Sequence, residues 1–357
     1  MHEQSITQSI GRAQAVIKEA VEKNAPLQIV GGGSKSFYGN NIADLPKLST
    51  VNFDGIIQYE PGELVLQVGS GTNLVELIKT LDGEGQILAC DPPTFDGNAT
   101  VGGLIASGIS GSRRPYSGSV RDFVLGVDII DGNAQHLSFG GQVMKNVAGY
   151  DVSRLLTASM GCLGLMTEVS LKVLPKPAAE RTQRIEIDRL SALKLMRELQ
   201  YENPLLSASA HREGQLFVRF SGMEKSVAKA CEAFGGEKND GLIWCEIDNL
   251  KVFDSKKDLW RISLSPSSNL FLDEVDVIDW GGGQRWIQDP EINLRKRLAD
   301  SGEAGHVTLV RLGSESSALN KDRFQALNPY LLKIHQGLKM QFDPAGIFNP
   351  YKMYKQF

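Results

Sequence analysis

A chain of 357 residues with a net charge of −4 and a pI near 5.8 is long enough for two cores and has an ordinary globular composition. Its Lys and Arg residues are scattered, which excludes the basic stripe of a nucleic-acid binder. The longest apolar runs, such as 123–130, fall far short of the roughly 18 residues of a membrane span. The first eleven residues also lack the basic-then-apolar pattern of a signal peptide, so a cytoplasmic location is expected.

Residues 5–23 predict a helix with Ile6, Ile10, Ile17 and Val21 along one side, stopped by Asn24-Ala25-Pro26. A short apolar strand at 27–30 then runs into Gly31-Gly32-Gly33-Ser34-Lys35-Ser36. Segments 56–59 and 64–68 predict a strand pair across a Glu-Pro-Gly-Glu turn. Thr72 is the expected N-cap of a helix over 73–81. A strand at 87–89 leads into Asp91-Pro92-Pro93, and 98–111 is almost entirely small residues. Segments 124–130 and 135–139 predict a hairpin across Asp131-Gly132-Asn133. Asp151 caps an expected helix over 152–158, and 165–173 alternates with Leu165, Thr167, Val169, Leu171 and Val173 on one face. Pro175 and Pro177 mark a domain boundary.

Beyond 180, helical patterns at 190–200 and 226–234 alternate with expected strands at 216–220, 243–247 and 306–311. That texture predicts an α+β domain with an antiparallel sheet. The aromatic tail from 340 to 357, with Asp343-Pro344 and Asn349-Pro350, is expected to dock rather than hang loose.

Two glycine clusters could carry chemistry. The loop at 31–36 follows a strand and offers successive backbone N–H groups with no side chain in the way of an anion, as a pyrophosphate cradle requires. A plain strand-to-loop connection remains the alternative reading. The loop is neither a Walker GxxxxGK[ST] nor a Rossmann GxGxxG. The second cluster, Thr100-Val101-Gly102-Gly103, would let a flat cofactor lie against backbone, although close packing of two elements also wants small residues. Cys90, Cys162, Cys231 and Cys245 contain no CxxC pair, so they are expected as free thiols and not as iron–sulfur ligands.

The segments IVGGGSKSFYG (29–39), NATVGGLIASGISGSRRPYSGSVRDFVLG (98–126), GGQVMKNVAGYDVSRL (140–155), GCLGLMTEVSLKVLP (161–175) and DPAGIFNP (343–350) together resemble the PCMH-type FAD-binding fold of the vanillyl-alcohol-oxidase group. The run 112–155 is similar, within that group, to FAD-binding subunits of glycolate oxidases. The resemblance implies a PCMH-type FAD-binding domain of two α+β subdomains at 1–177 and an α+β cap at 178–335. A tail at 336–357 would dock back on the first domain.

It also implies site roles. Gly31, Gly32, Gly33, Ser34, Lys35 and Ser36 would hold the FAD pyrophosphate. Asn98, Ala99, Thr100, Gly102, Gly103, Ser107 and Gly108 would pass under the ribityl chain and flavin, with Pro92 also at the cofactor. Gly161, Gly164 and Leu165 would line the adenine side, and Asn349 would contribute from the tail. Lys145 and Asn146 fall where relatives place polar groups near the isoalloxazine, and a cation there would stabilise negative charge on reduced flavin. A solvated loop lysine is the plain alternative. Arg113 and Arg114 suit a phosphate, a carboxylate substrate or a partner's acidic patch.

Some members of the group tether FAD through a histidine just after the glycine loop. Here Ser34 and Lys35 stand there and no histidine lies between His2 and His136, so FAD is expected to bind non-covalently. The HxGxGxxH-like metal and substrate motif of catalytic relatives is missing, and no metal is expected. The tail has Tyr351 where relatives often have glycine. The family implies a paralogous FAD subunit and an iron–sulfur subunit as partners, a small 2-hydroxy acid as substrate, and membrane contact only through those partners.

Overall fold

Helix α1 (His2–Glu22) buries Ile6, Ala13, Ile17 and Ala20 at helical spacing. Val21 of the expected stripe is exposed, and the two alanines complete the buried side instead. The computed structural model describes residues 2–42, 44–141, 150–316 and 322–357, with side chains from Ile6 onward. The chain divides into two units. One comprises 1–109, 119–176 and 326–357, and the other 110–118 and 177–325.

In the first unit, β1 (Gln28–Val30) pairs in parallel with β2 (Lys47–Ser49). A five-stranded antiparallel sheet has the order β3 (Ile56–Glu60), β4 (Val65–Gly69), β8 (Leu165–Lys172), β6 (Val124–Ile130), β7 (His136–Gly140). A two-stranded pair joins β5 (Gln86–Ile87) to β9 (Leu174–Pro175). Strand β8 shows why simple alternation misleads. Leu165, Thr167, Val169 and Leu171 are buried as expected, but so are Met166 and Ser170, because a central strand is covered on both faces. Val169 and Leu171 join a core filled by Leu74, Leu77 and Leu81 of α2 (Leu74–Gly83) and by Leu104 and Ile105 of α3 (Val101–Ser107). Leu165 joins a second core with Ile17 of α1 and Phe348 of the tail. Each such side chain contributes about 1.5–3 kcal/mol of hydrophobic stabilisation.

Asn73, not Thr72, caps α2; its Oδ1 accepts from the N–H groups of Val75 and Glu76. The Thr72 hydroxyl instead accepts from Gly55 N–H. The sequence reading missed the C-terminal helix Pro329–Phe342, although its Asn328 cap followed by Pro329 is a recognised start signal.

The second unit is built on an eight-stranded antiparallel sheet. Its order is β13 (Glu237–Asn239), β10 (Ala179–Glu186), β12 (Gln215–Gly222), β11 (Leu206–Arg212), β15 (Val277–Asp279), β16 (Gln284–Gln288), β14 (Leu259–Leu264), β17 (Gly305–Arg311). The fold class is therefore α+β, as expected. One expected strand is a helix: Leu242–Asp248 buries Ile243, Trp244 and Ile247 at helical spacing, a pattern that a five-residue apolar run cannot distinguish from a strand. The segment 110–118 belongs to this unit through its polar contacts. Ser112 donates from N and Oγ to Asp248, and the Tyr116 hydroxyl pairs with Ser209 at 2.7 Å.

Candidate functional site

The loop after β1 is shaped by what lies beneath it. A methyl group on Gly32 would sit 1.6 Å from the carbonyl oxygen of Asn98, and one on Gly31 would sit 2.5 Å from Thr100 Oγ1. Gly32 thus lets the two glycine-rich segments touch backbone to backbone, and Gly31 leaves room for the Thr100 side chain. Gly33 differs: it takes φ +75°, and a Cβ there would meet nothing within 4 Å, so this glycine turns the chain beside open space. The backbone N–H groups from Gly31 to Lys35 donate no hydrogen bond within the described residues, which leaves a row of donors on a curved loop.

The floor is α3. Thr100 caps it, its Oγ1 accepting from Gly103 N–H at 3.2 Å. Gly103, Ala106 and Ser107 follow at helical spacing and line the cleft, giving a flat wall of small residues. Gly102 faces the other way, where a Cβ would lie 2.9 Å from Ser70. Gly108 ends the helix in the left-handed conformation, its N–H donating to Leu104 O. Asn98 contributes its carbonyl under the loop, while Ala99 is wholly buried in the core.

The tail closes the third side. Ile29 N–H donates to Asn349 Oδ1 at 2.8 Å, and Asn349 Nδ2 donates to Met160 O at 2.7 Å. Asn349 therefore ties the strand before the loop to the turn at 160. Gly161 must be glycine here, because it has φ +72° and a Cβ would lie 2.6 Å from Asn349 Nδ2. The cleft has a volume of about 140 Å³ and opens to solvent, and its lining includes the loop 31–36, Tyr38, Thr100, Gly103, Met160, Asn349 and Lys352.

Its charge is one-sided. Lys35 and Lys352 line the cleft and, among the described residues, no carboxylate does. Lys352 Nζ donates to Asn40 O at 3.2 Å. Lys35 has only the Ser34 hydroxyl at 3.4 Å and the Phe95 ring, whose centroid is 5.3 Å from Nζ. Burial pushes its amine down to about 8. A half-buried cation beside free N–H donors, with no carboxylate on the lining among the described residues, is a site for an anion.

Of the expected site residues, the structure gathers Gly31 to Ser36, Thr100, Gly103, Ser107 and Asn349 on one cleft. Asn98, Ala99, Gly102, Gly108 and Gly161 support it from behind. Pro92, Gly164 and Leu165 do not line this cleft: Gly164 packs on Ile130, and Leu165 is fully buried in a core cluster. Lys145 and Asn146 lie outside the described residues. Tyr38, Ala106, Met160 and Lys352 line the cleft and were not singled out from the sequence, which offers no spacing signal for them.

Both arginines belong to the second unit, Arg113 buried and Arg114 exposed. Arg113 is ion-paired with Glu180, and Arg114 lies 4.4 Å from the centroid of the Trp280 ring. The four cysteines are free, three of them buried. Among the described residues, no helix is long and apolar enough to cross a membrane.

Residues 6–140 match the FAD binding domain family, so this cleft belongs to a flavin-binding protein of that class. The chain is 42% identical to glycolate oxidase subunit GlcE of Escherichia coli (strain K12), over 95% of this chain and 96% of that protein, and it belongs to that subunit family. Glycolate oxidase subunit GlcD of Bacillus subtilis (strain 168) is 32% identical over 36% of this chain and 27% of its own. Among solved structures, alkyldihydroxyacetonephosphate synthase shares the fold with TM-score 0.66 at 16% identity. That match covers 96% of this chain and 75% of the synthase chain.

Proposed function

We propose that this chain is the FAD-binding GlcE-type subunit of a glycolate oxidase complex, and that it supports oxidation of a 2-hydroxy acid, with glycolate as substrate. The observation that carries the reading is the one-sided cleft: a row of free N–H donors and a half-buried lysine, with no carboxylate on the lining. Those groups suit a pyrophosphate.

In this reading Gly31 to Ser36 hold the pyrophosphate. Thr100, Gly103, Ala106 and Ser107 give a wall flat enough for the ribityl chain and ring, supported by Asn98, Ala99, Gly102 and Gly108. Asn349 and Gly161 fix the tail and the turn at 160 against the loop. Gly161, Gly164 and Leu165 would line the adenine side by backbone contacts, and Pro92 would also stand at the cofactor. Lys145 and Asn146 would supply polar groups at the flavin edge. When bound, FAD supplies the two-electron acceptor for hydride from the hydroxy-acid Cα. The cofactor is held without a covalent link, since Ser34 and Lys35 stand where a tethering histidine would be.

The FAD domain would comprise 1–177 with the tail 336–357, and the cap 178–335 would meet substrate or partner. The partners would be a paralogous FAD subunit and an iron–sulfur subunit, in a cytoplasmic complex that meets the membrane only through them. A supporting role, with substrate oxidation on the paralogous subunit, is favoured by the state of the cap histidines. His211 is buried, with Nε2 2.9 Å from Ile187 O, and burial holds His306 low beside Arg261 and Arg295.

Anaerobic addition of glycolate to the purified chain, followed at the flavin band near ~450 nm, tests this. An unbleached yellow protein that accelerates turnover when mixed with its partners supports the supporting role. A bleached band moves the chemistry onto this chain. A protein that binds no flavin overturns the proposal.

A further inference from the structure

Lys35 is a feature of the cleft that backbone packing does not account for. Gly31 and Gly32 are explained by the segment beneath them, and Asn349 by its bonds to Ile29 and Met160. Lys35 instead folds its ammonium into the cleft against Phe95 and Gly103; a Cβ on Gly103 would lie 4.0 Å from its Nζ. No carboxylate compensates it.

We infer that Lys35 is a proton-linked anchor for the cofactor's pyrophosphate: FAD binds with this side chain charged, and above neutral pH its binding takes up a proton. The inference rests on the flavoprotein reading above and adds a regulation of the same site.

Charged and titratable groups around Lys35 do not supply an alternative. On its own loop Ser34 and Ser36 are neutral. Across the cleft stand Tyr38 and Lys352, and on the Phe95 segment Asp91 and Asp96. None offsets the burial, which alone pulls the lysine down to about 8. A pyrophosphate on the loop adds negative charge beside the amine and raises its pKa. The sign follows: the free protein loses the proton as pH rises through 8, the complex keeps it, and affinity falls over that range. With a free-state value near 8, FAD affinity should weaken by about tenfold between pH 7 and pH 9.

The test is FAD affinity of the purified chain, read by flavin fluorescence from pH 6.5 to about 9, with riboflavin as the phosphate-free control. The expected result is about a tenfold weakening for FAD and a flat response for riboflavin. Lys35→Arg should bind FAD tightly at all pH values, because guanidinium stays charged. Lys35→Met should bind weakly with no slope. Calorimetry of the unaltered chain at pH 8, in two buffers of different ionisation enthalpy, should show uptake of about half a proton per FAD. A flat FAD affinity, the absence of proton uptake, or an undiminished slope in Lys35→Met each overturns the inference while leaving the flavoprotein reading intact. Failure to bind FAD at any pH overturns both.

Discussion

Lys339 and Asp343 form a buried ion pair at 2.6 Å, one helical turn apart at the end of the C-terminal helix. Lys339 Nζ also donates to Cys162 O and Phe348 O, each at 2.8 Å. The Asp343 carboxylate accepts from the N–H groups of Ile347 and Phe348. Every charge is spent on holding the 343–349 turn against the turn at 160, which in turn positions Asn349.

Removing one partner leaves an uncompensated buried charge. Lys339→Met should therefore cost about 3–5 kcal/mol of stability in urea unfolding. It should also release FAD at concentrations where the unaltered chain retains it. A loss below about 1 kcal/mol would show that the pair is not holding the tail.

The loop glycines should separate by mechanism. Gly32→Ala drives a methyl into the Asn98 carbonyl at 1.6 Å, so backbone must move and both stability and flavin retention should fall. Gly33→Ala meets open space and carries only the left-handed strain, about 1–2 kcal/mol. Equal melting temperatures for the two variants would contradict this account.

Tyr351 sits at φ +64°, in the region glycine favours, with its side chain 58% exposed. Its backbone is anchored, with N–H donating to Phe357 O and the carbonyl accepting from Asn40 Nδ2. Tyr351→Gly should thus raise stability by up to about 1 kcal/mol, relieved strain outweighing the added chain entropy. An unchanged or lower melting temperature would refute it.

In the second unit Glu180 governs acid stability. Burial works to raise its carboxyl pKa, but the Arg219 and Arg113 guanidiniums and the Ser221 hydroxyl outweigh burial and hold it below the usual range. A depressed carboxyl stabilises the fold above its unfolded value of about 4.3, and that contribution is lost as pH falls below it. Glu180→Gln should flatten this acid limb. At neutral pH it should cost about 1–2 kcal/mol, less than for a fully buried pair, because Glu180 is 38% exposed. Urea titrations at pH 7 and at about pH 4 compare the two.

Local chemistry made much of the fold legible. The Asp131-Gly132-Asn133 turn joins β6 and β7 in the structure, and Asp151 accepts from Arg154 N–H as a helix cap. What was misread depended on distant packing. Leu242–Asp248 looked like a strand because its apolar run is too short to reveal a period, and Thr72 lost the cap to Asn73 because its hydroxyl is bonded to Gly55. The loop 31–36 was visible as a donor row, but its depth was not. That depends on Met160, Asn349 and Lys352, which the chain brings in from far away.

Ile29 meets its partner Asn349 across 320 residues. During synthesis, β1 and the glycine loop leave the ribosome long before the strap that braces them exists. The glycine loop therefore stays unbraced until residue 349 has been made, and chains cut short before the strap should lack that brace.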